Sequence, residues 1–226
     1  MSVQAVIFDL DNTLYDYDAA HEIAFGALCD FAQREFRISA EAFRALHKDA
    51  MTEQQRRARN ACAAIHNRVI RYQLILERVG KPIFYAPRMS DIYWTAFLDA
   101  CRPISGVREA LEALKADYVL GVGTNMTADY QFRKLERLGL LTLFDFMVSS
   151  EEVNAEKPDA ALFDLCAEKA GCPAAQCAFV GDNYAHDVAG ARAAGMRPVW
   201  LSADAQTDDC PVIRRVADLP ELLRRM

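Results

Sequence analysis

With 226 residues, 52% of them hydrophobic and few of them Gly or Pro, the chain has enough apolar material for a core domain plus a substantial insertion, which excludes a disordered protein. A net charge of -6 leaves no basic footprint for nucleic acid or an anionic membrane, so any positivity that meets phosphate has to be local. No positively charged start leads into an apolar signal segment, and no apolar run approaches the roughly 20 residues that cross a bilayer, so a cytoplasmic location is expected.

The first element is the apolar run Ala5 to Phe8, which reads as a buried strand of a parallel sheet and runs into Asp9-Leu10-Asp11-Asn12-Thr13-Leu14. Two carboxylates one residue apart repel by about 4 kcal/mol at 4 Å and an effective dielectric of 20. Such a pair calls for a cation or a shared proton, and a divalent metal is the simplest answer. Taken alone, Asp11-Asn12-Thr13 also fits a polar turn leaving the strand.

From about Asp18 to Phe36 the period becomes helical, with Ile23, Phe25, Ala27, Leu28 and Phe31 as an apolar face. Ser39 is placed to cap a second helix bearing Phe43 and Leu46. A further stripe of Val69, Ile70, Tyr72, Leu74, Ile75 and Val79 stops at Gly80-Lys81-Pro82, and Ile92, Tyr93, Phe97 and Leu98 follow Pro87. No strand signal interrupts Tyr15 to Cys101, a stretch too long for an ordinary crossover connection. Residues 16–101 are therefore expected to be an inserted all-helical cap domain, and residues 1–15 with 102–226 an α/β core domain.

The core resumes at Pro103 to Gly106, where Ser105 can cap a helix carrying Val107, Ala110, Leu111 and Leu114. A strand Val119 to Gly123 ends in Thr124-Asn125, and Thr127 is placed to cap a helix with Phe132, Leu135 and Leu138 that stops at Gly139. Phe144 to Ser149 reads as a strand, Asp159 to Ala170 as a helix, Cys177 to Gly181 as a strand ending in Asp182, Ala185 to Ala194 as a small-residue helix, and Pro198 to Leu201 as a strand. A closing helix spans about Leu219 to Arg225. This alternation predicts a doubly wound, Rossmann-like parallel sheet. Seven cysteines without a C-x-x-C pair, mostly among apolar residues, read as reduced core thiols rather than a zinc site.

Three buried strands thus finish in polar, ligand-type residues, and in open α/β sheets ligands bind outside the carboxyl ends of the strands. Asp9 and Asp11, Thr124-Asn125, Lys157 before Pro158, and Gly181-Asp182 through Asp187 compete for one pocket. In their order along the chain, Asp9-Leu10-Asp11-Asn12-Thr13-Leu14, Gly123-Thr124-Asn125, Glu156-Lys157-Pro158 and Gly181-Asp182-Asn183-Tyr184-Ala185-His186-Asp187 resemble the motifs of a haloacid dehalogenase superfamily hydrolase of the phosphatase branch, with the helical cap inserted after the first motif. The resemblance implies that Asp9 is the nucleophile forming an aspartyl-phosphate, and that Asp11 is the acid and base. It implies Mg²⁺ held by Asp9, the backbone carbonyl of Asp11, and Asp182, with Asp187 as a direct or supporting ligand. Thr124, the backbone N–H of Asn125 and Lys157 would hold the phosphoryl oxygens, with the start of the helix near Thr127 pointing its positive end at them.

The implied activity is Mg²⁺-dependent hydrolysis of a small phosphorylated metabolite, such as a nucleoside monophosphate or a sugar phosphate, by a monomer or homodimer without nucleic-acid or membrane partners. A phosphomutase would share every core residue. A dehalogenase needs neither the metal motif nor the second aspartate, and a non-enzymatic phospho-acceptor module would carry its aspartate on a later strand without the helical insertion. His186 reads as a surface or packing residue, and Trp94 as core. Arg56, Arg57 and Arg59, followed by His66, Asn67, Arg68, Arg71 and Tyr72, read as a solvated helix face, with a phosphate-facing surface as the alternative.

Overall fold

The computed structural model describes residues 2–58 and 62–226, so Arg59 of the basic run lies outside the described residues. The chain divides into two compact units, one made of Met1–Asp16 with Arg102–Met226 and the other of Tyr17–Cys101.

In chain order, β1 is Ala5–Phe8; the helical unit contributes α1 (Tyr17–Phe36), α2 (Ala40–Ala58), α3 (Arg68–Arg78) and α4 (Tyr85–Ala100). There follow α5 (Val107–Lys115), β2 (Val119–Thr124), α6 (Ala128–Arg137), β3 (Phe146–Ser149), α7 (Ser150–Val153), α8 (Ala160–Ala170), β4 (Cys177–Gly181), α9 (Ala189–Ala193), β5 (Arg197–Leu201), β6 (Val212–Ile213) and α10 (Leu219–Leu223). The described strands form one six-stranded sheet in the order β3-β2-β1-β4-β5-β6, parallel throughout. The fold class is the doubly wound one the alternation predicts, and strand order reverses at β1 and β4.

Every residue of β1 is 0% exposed, as a central parallel strand covered on both faces requires. Ala5 and Ile7 join Leu162, Phe163 and Cys166 of α8 and Phe179 of β4 in one cluster, while Val6 and Phe8 point the other way by strand alternation. Full burial of Val6, Ile7 and Phe8 contributes about 1.5–3 kcal/mol each. The register pairs Phe8 with both Val122 and Val180, and the Asp9 N–H donates to the Val180 carbonyl at 2.8 Å. β2 and β4 thus run on past the end of β1, to Thr124 and Gly181.

Several local expectations are corrected. Ser105 does not cap α5: Gly106, left-handed at φ 83°, takes the N-cap position without a side-chain bond. Thr127 occupies the N-cap of α6 but its hydroxyl accepts nothing from the helix; the Ala128 N–H donates instead to the Glu151 carboxylate at 2.9 Å. The segment 184–194 begins as a π-helical turn, Tyr184–Val188, and only then continues as α9. Ile23 and Phe132, both placed on core faces by period, are 60% and 47% exposed.

The helical unit has its own core, with Phe25, Leu28, Phe31, Phe43, Tyr93 and Phe97 buried. Ser39 does cap α2, its Oγ accepting from the Ala42 N–H at 3.3 Å. His21 Nδ1 bonds the Tyr93 hydroxyl at 2.7 Å, and His47 is buried with no partner for Nε2. Burial, with the charges of nearby arginines, pulls His21 down to about 4 and His47 to about 2. None of the described helices is long and apolar enough to cross a membrane.

Candidate active site

Asp9 leaves the end of β1 almost buried, and its Oδ1 accepts from Lys157 Nζ at 2.5 Å. The same ammonium lies 2.7 Å from Asp187 Oδ1, so one lysine bridges two carboxylates. Asp187 Oδ2 accepts from the Asn183 N–H at 2.9 Å, and Asp182 Oδ1 accepts from the buried Thr13 hydroxyl at 3.3 Å. Asp9, Asp182 and Asp187 each present an oxygen within 4.8 Å of the other two. The backbone makes this approach possible: a Cβ at Gly181 would collide with the Asp187 carboxylate.

Charge explains the environment. Burial first, then the nearby charges of Asp187 and Asp11, push Asp9 up to about 7 against the pull of Lys157. Asp182 is raised by burial and by Asp187. Burial alone would lower Lys157, but Asp187 and Asp9 more than offset it and hold the ammonium charged. Three carboxylates facing one lysine leave a surplus of negative charge, and three hard oxygen donors in that space suit a divalent cation such as Mg²⁺.

The Asp11 carboxylate is not part of that trio. Both of its oxygens accept from Lys134 Nζ, at 2.8 and 2.9 Å, and Oδ1 also accepts from the Tyr15 hydroxyl at 2.6 Å. Lys134 is 0% exposed and belongs to none of the four motifs. The signal existed: Gln131, Lys134, Leu135 and Leu138 stand at i, i+3, i+4 and i+7, all buried, so two polar residues share the stripe on which Phe132 does not lie. A lysine on a buried stripe needs an anion, and Lys134 meets Asp11.

Thr124 and Asn125 reach the same strand ends, with their side chains already engaged. Thr124 Oγ1 accepts from Gln131 Nε2 at 2.5 Å. Asn125 Oδ1 accepts from the Lys157 N–H at 2.8 Å and its Nδ2 donates to the Lys157 carbonyl at 3.5 Å, so this side chain fixes the lysine's backbone. The Lys157–Pro158 peptide is cis. Glu151 accepts from the first N–H of α6 and so meets the positive end of that helix. His186 is exposed, its N–H donating to the Asn183 side chain.

A family model described as haloacid dehalogenase-like hydrolase matches residues 6–201. The chain is 33% identical over 208 residues to the ribulose-1,5-bisphosphate 5-phosphatase of Halopiger xanaduensis, covering 90% of this chain and 87% of that protein. It is 29% identical over 202 residues to a pyrimidine 5'-nucleotidase of Escherichia coli, covering 88% and 85%. The crystal structure of a 2-haloacid dehalogenase from Pseudomonas syringae superposes with a TM-score of 0.78 at 29% identity, over 99% of each chain.

Proposed function

The chain belongs to the haloacid dehalogenase-like hydrolase family, and on that premise we propose that it is a Mg²⁺-dependent phosphatase that cleaves a small phosphomonoester through an aspartyl-phosphate on Asp9. The observation that carries this reading is the convergence of Asp9, Asp182 and Asp187 beside the neighbouring ends of β1 and β4, with Lys157 bridging Asp9 and Asp187. Mg²⁺ would be held by Asp9, Asp182, Asp187 and the backbone carbonyl of Asp11, and when bound it supplies positive charge to the phosphoryl oxygens. Asp9 attacks phosphorus while the bond to the leaving oxygen breaks, and Asp11 gives that oxygen its proton. Water then attacks the same phosphorus, Asp11 takes its proton, and the bond to Asp9 breaks to release inorganic phosphate. Lys157, Thr124 and the Asn125 N–H hold the transferring oxygens, and Lys134 with Tyr15 holds Asp11 in place. The unit Tyr17–Cys101 is read as the family's inserted cap, the segment that selects the leaving group. Named relatives acting on ribulose 1,5-bisphosphate and pyrimidine nucleotides support a small phosphorylated metabolite as substrate.

The test is a phosphate-release screen of phosphorylated metabolites with Mg²⁺, using Asp9→Asn as the blank. Release that requires Mg²⁺ and vanishes in Asp9→Asn is expected; release that survives either change would sink the mechanism. Displacement of halide from a 2-haloalkanoate is a second reading, favoured by the Pseudomonas syringae dehalogenase likeness. It would leave Asp11, Asp182 and Asp187 without a chemical task, and a halide assay on the same preparation decides between the two. Free phosphate without a phosphorylated acceptor separates hydrolysis from mutase chemistry.

A further inference from the structure

Trp200 belongs to none of the four motifs, yet it touches the backbone that carries two of the three clustered acids. It is the fourth residue of β5, half-buried, and the register sets it beside Gly181 at the end of β4. Its indole N–H donates to the Asp182 carbonyl at 2.9 Å. Its ring meets that of Tyr184 edge to face, with centroids 4.8 Å apart and planes at 65°. Tyr184 is the first residue of the π-helical turn that carries Asp187. The Tyr184 hydroxyl donates to Asp209 Oδ2 at 2.9 Å and accepts from Arg192 Nη1 at 3.4 Å, which holds the outer end of that ring.

Asp182 and Asn183 lie between strand and turn, outside both, and a π-helical turn is a rare backbone form that occurs mostly at functional sites. Bonds within the segment close the turn on itself: Asp187 Oδ2 accepts from the Asn183 N–H at 2.9 Å, the Asn183 carbonyl from the Asp187 N–H at 2.8 Å, and Asn183 Oδ1 from the His186 N–H at 3.0 Å. None of these three bonds reaches the sheet. The Thr13 hydroxyl holds the Asp182 carboxylate and the Trp200 indole holds its carbonyl, so Asp182 is gripped at both ends. At a half-buried position water would serve the indole N–H equally well, so burial does not dictate its aim at this carbonyl.

We propose that Trp200 is a positioning residue for Mg²⁺: its N–H fixes the backbone from which the Asp182 carboxylate departs, and its ring fixes the start of the turn that presents Asp187. This role rests on the Mg²⁺ assignment above. Asp182 and Asp187 each present an oxygen within 4.8 Å of the other, and a small hard cation that demands near-ideal octahedral geometry tolerates little drift in either acid. Partners one step removed from a metal ligand change metal affinity by about 10- to 100-fold when lost. A shift of the Asp182 backbone or of the turn takes an oxygen out of reach without unfolding the sheet.

The test is titration calorimetry of the full-length protein with Mg²⁺, comparing the parent chain with Trp200→Phe, which keeps a ring against Tyr184 and removes the donor. The Kd for Mg²⁺ is expected to rise about tenfold or more. An unchanged Kd in Trp200→Phe, where the parent binds, overturns the role of Trp200 and leaves the metal assignment standing; a parent chain that binds no Mg²⁺ overturns both. Leu223→Ala, a buried position of α10, controls for general destabilisation. It is expected to lower the denaturation midpoint and leave the Kd for Mg²⁺ where it was, and an equal weakening there would overturn a specific role for the indole. Should Trp200→Phe not fold, Trp94→Phe leaves Trp200 as the one tryptophan of the two in the chain. Mg²⁺ is then expected to shift its emission along the same binding curve as calorimetry gives, because a divalent charge at Asp182 alters the field at an indole bonded to that residue. Emission that ignores saturating Mg²⁺ overturns the proposal equally.

Discussion

Asp9 is the residue on which proton and metal compete. Its folded value near 7 lies above the ordinary 3.8, so the folded chain binds more protons than the unfolded one between those limits, and Asp9 lowers stability as pH rises through that window. Asparagine carries no such charge. In EDTA, the unfolding free energy of Asp9→Asn relative to the parent chain, measured by chemical denaturation, is therefore expected to climb from pH 4 to pH 8 by an amount on the order of a few kcal/mol, and Mg²⁺ is expected to narrow the gap. A gap independent of pH would refute a strained carboxylate. Lys134 carries a different expectation. With Lys134→Met, Asp11 keeps only the Tyr15 hydroxyl of the bonds described above, so kcat should fall by about 100-fold, the low end of a general acid–base contribution, with KM little changed. Steady-state kinetics on any active ester checks it.

At the scale of elements, the turn after β4 is the critical one. Gly181→Ala drives a methyl group into the Asp187 carboxylate, so a stability loss of about 1–3 kcal/mol and a marked loss of Mg²⁺ affinity are expected together, measured by chemical denaturation and calorimetry. Strands were the legible elements because a parallel strand buried on both faces is a bare apolar run, and Ala5 to Phe8 and Cys177 to Val180 are nothing else. The acids that follow them stood out for the same reason. Helix faces were less legible. Phe132 looked like core although it sits off the buried stripe of α6, and the partner of Lys134 lies past the end of another strand, a relation that no local period contains. Ser105 and Thr127 had the right side chains for caps, but a left-handed Gly106 and the Glu151 carboxylate had already settled those helix starts.

At the scale of the whole molecule, two units with separate cores respond differently to acid. His21 and His47 sit in the helical unit with folded values of about 4 and about 2, below the ordinary 6.5, so the unfolded chain binds more protons and stability falls as pH drops through 6.5 toward 4. Hydrogen exchange across that window is expected to show α1 to α4 losing protection before the sheet does, and His47→Gln to delay the loss. Simultaneous loss in both units would count against it. The insertion also has a consequence for biosynthesis. The middle strand of the sheet, Ala-Val-Ile-Phe, leaves the ribosome first, yet its two neighbours begin at Val119 and Cys177. At a translation rate of roughly 5–20 residues per second, those four apolar residues wait on the order of ten to thirty seconds for their second neighbour. The nascent chain must keep that segment from sticking to other nascent chains, and the helices α1 to α4 that follow it are made before either neighbouring strand.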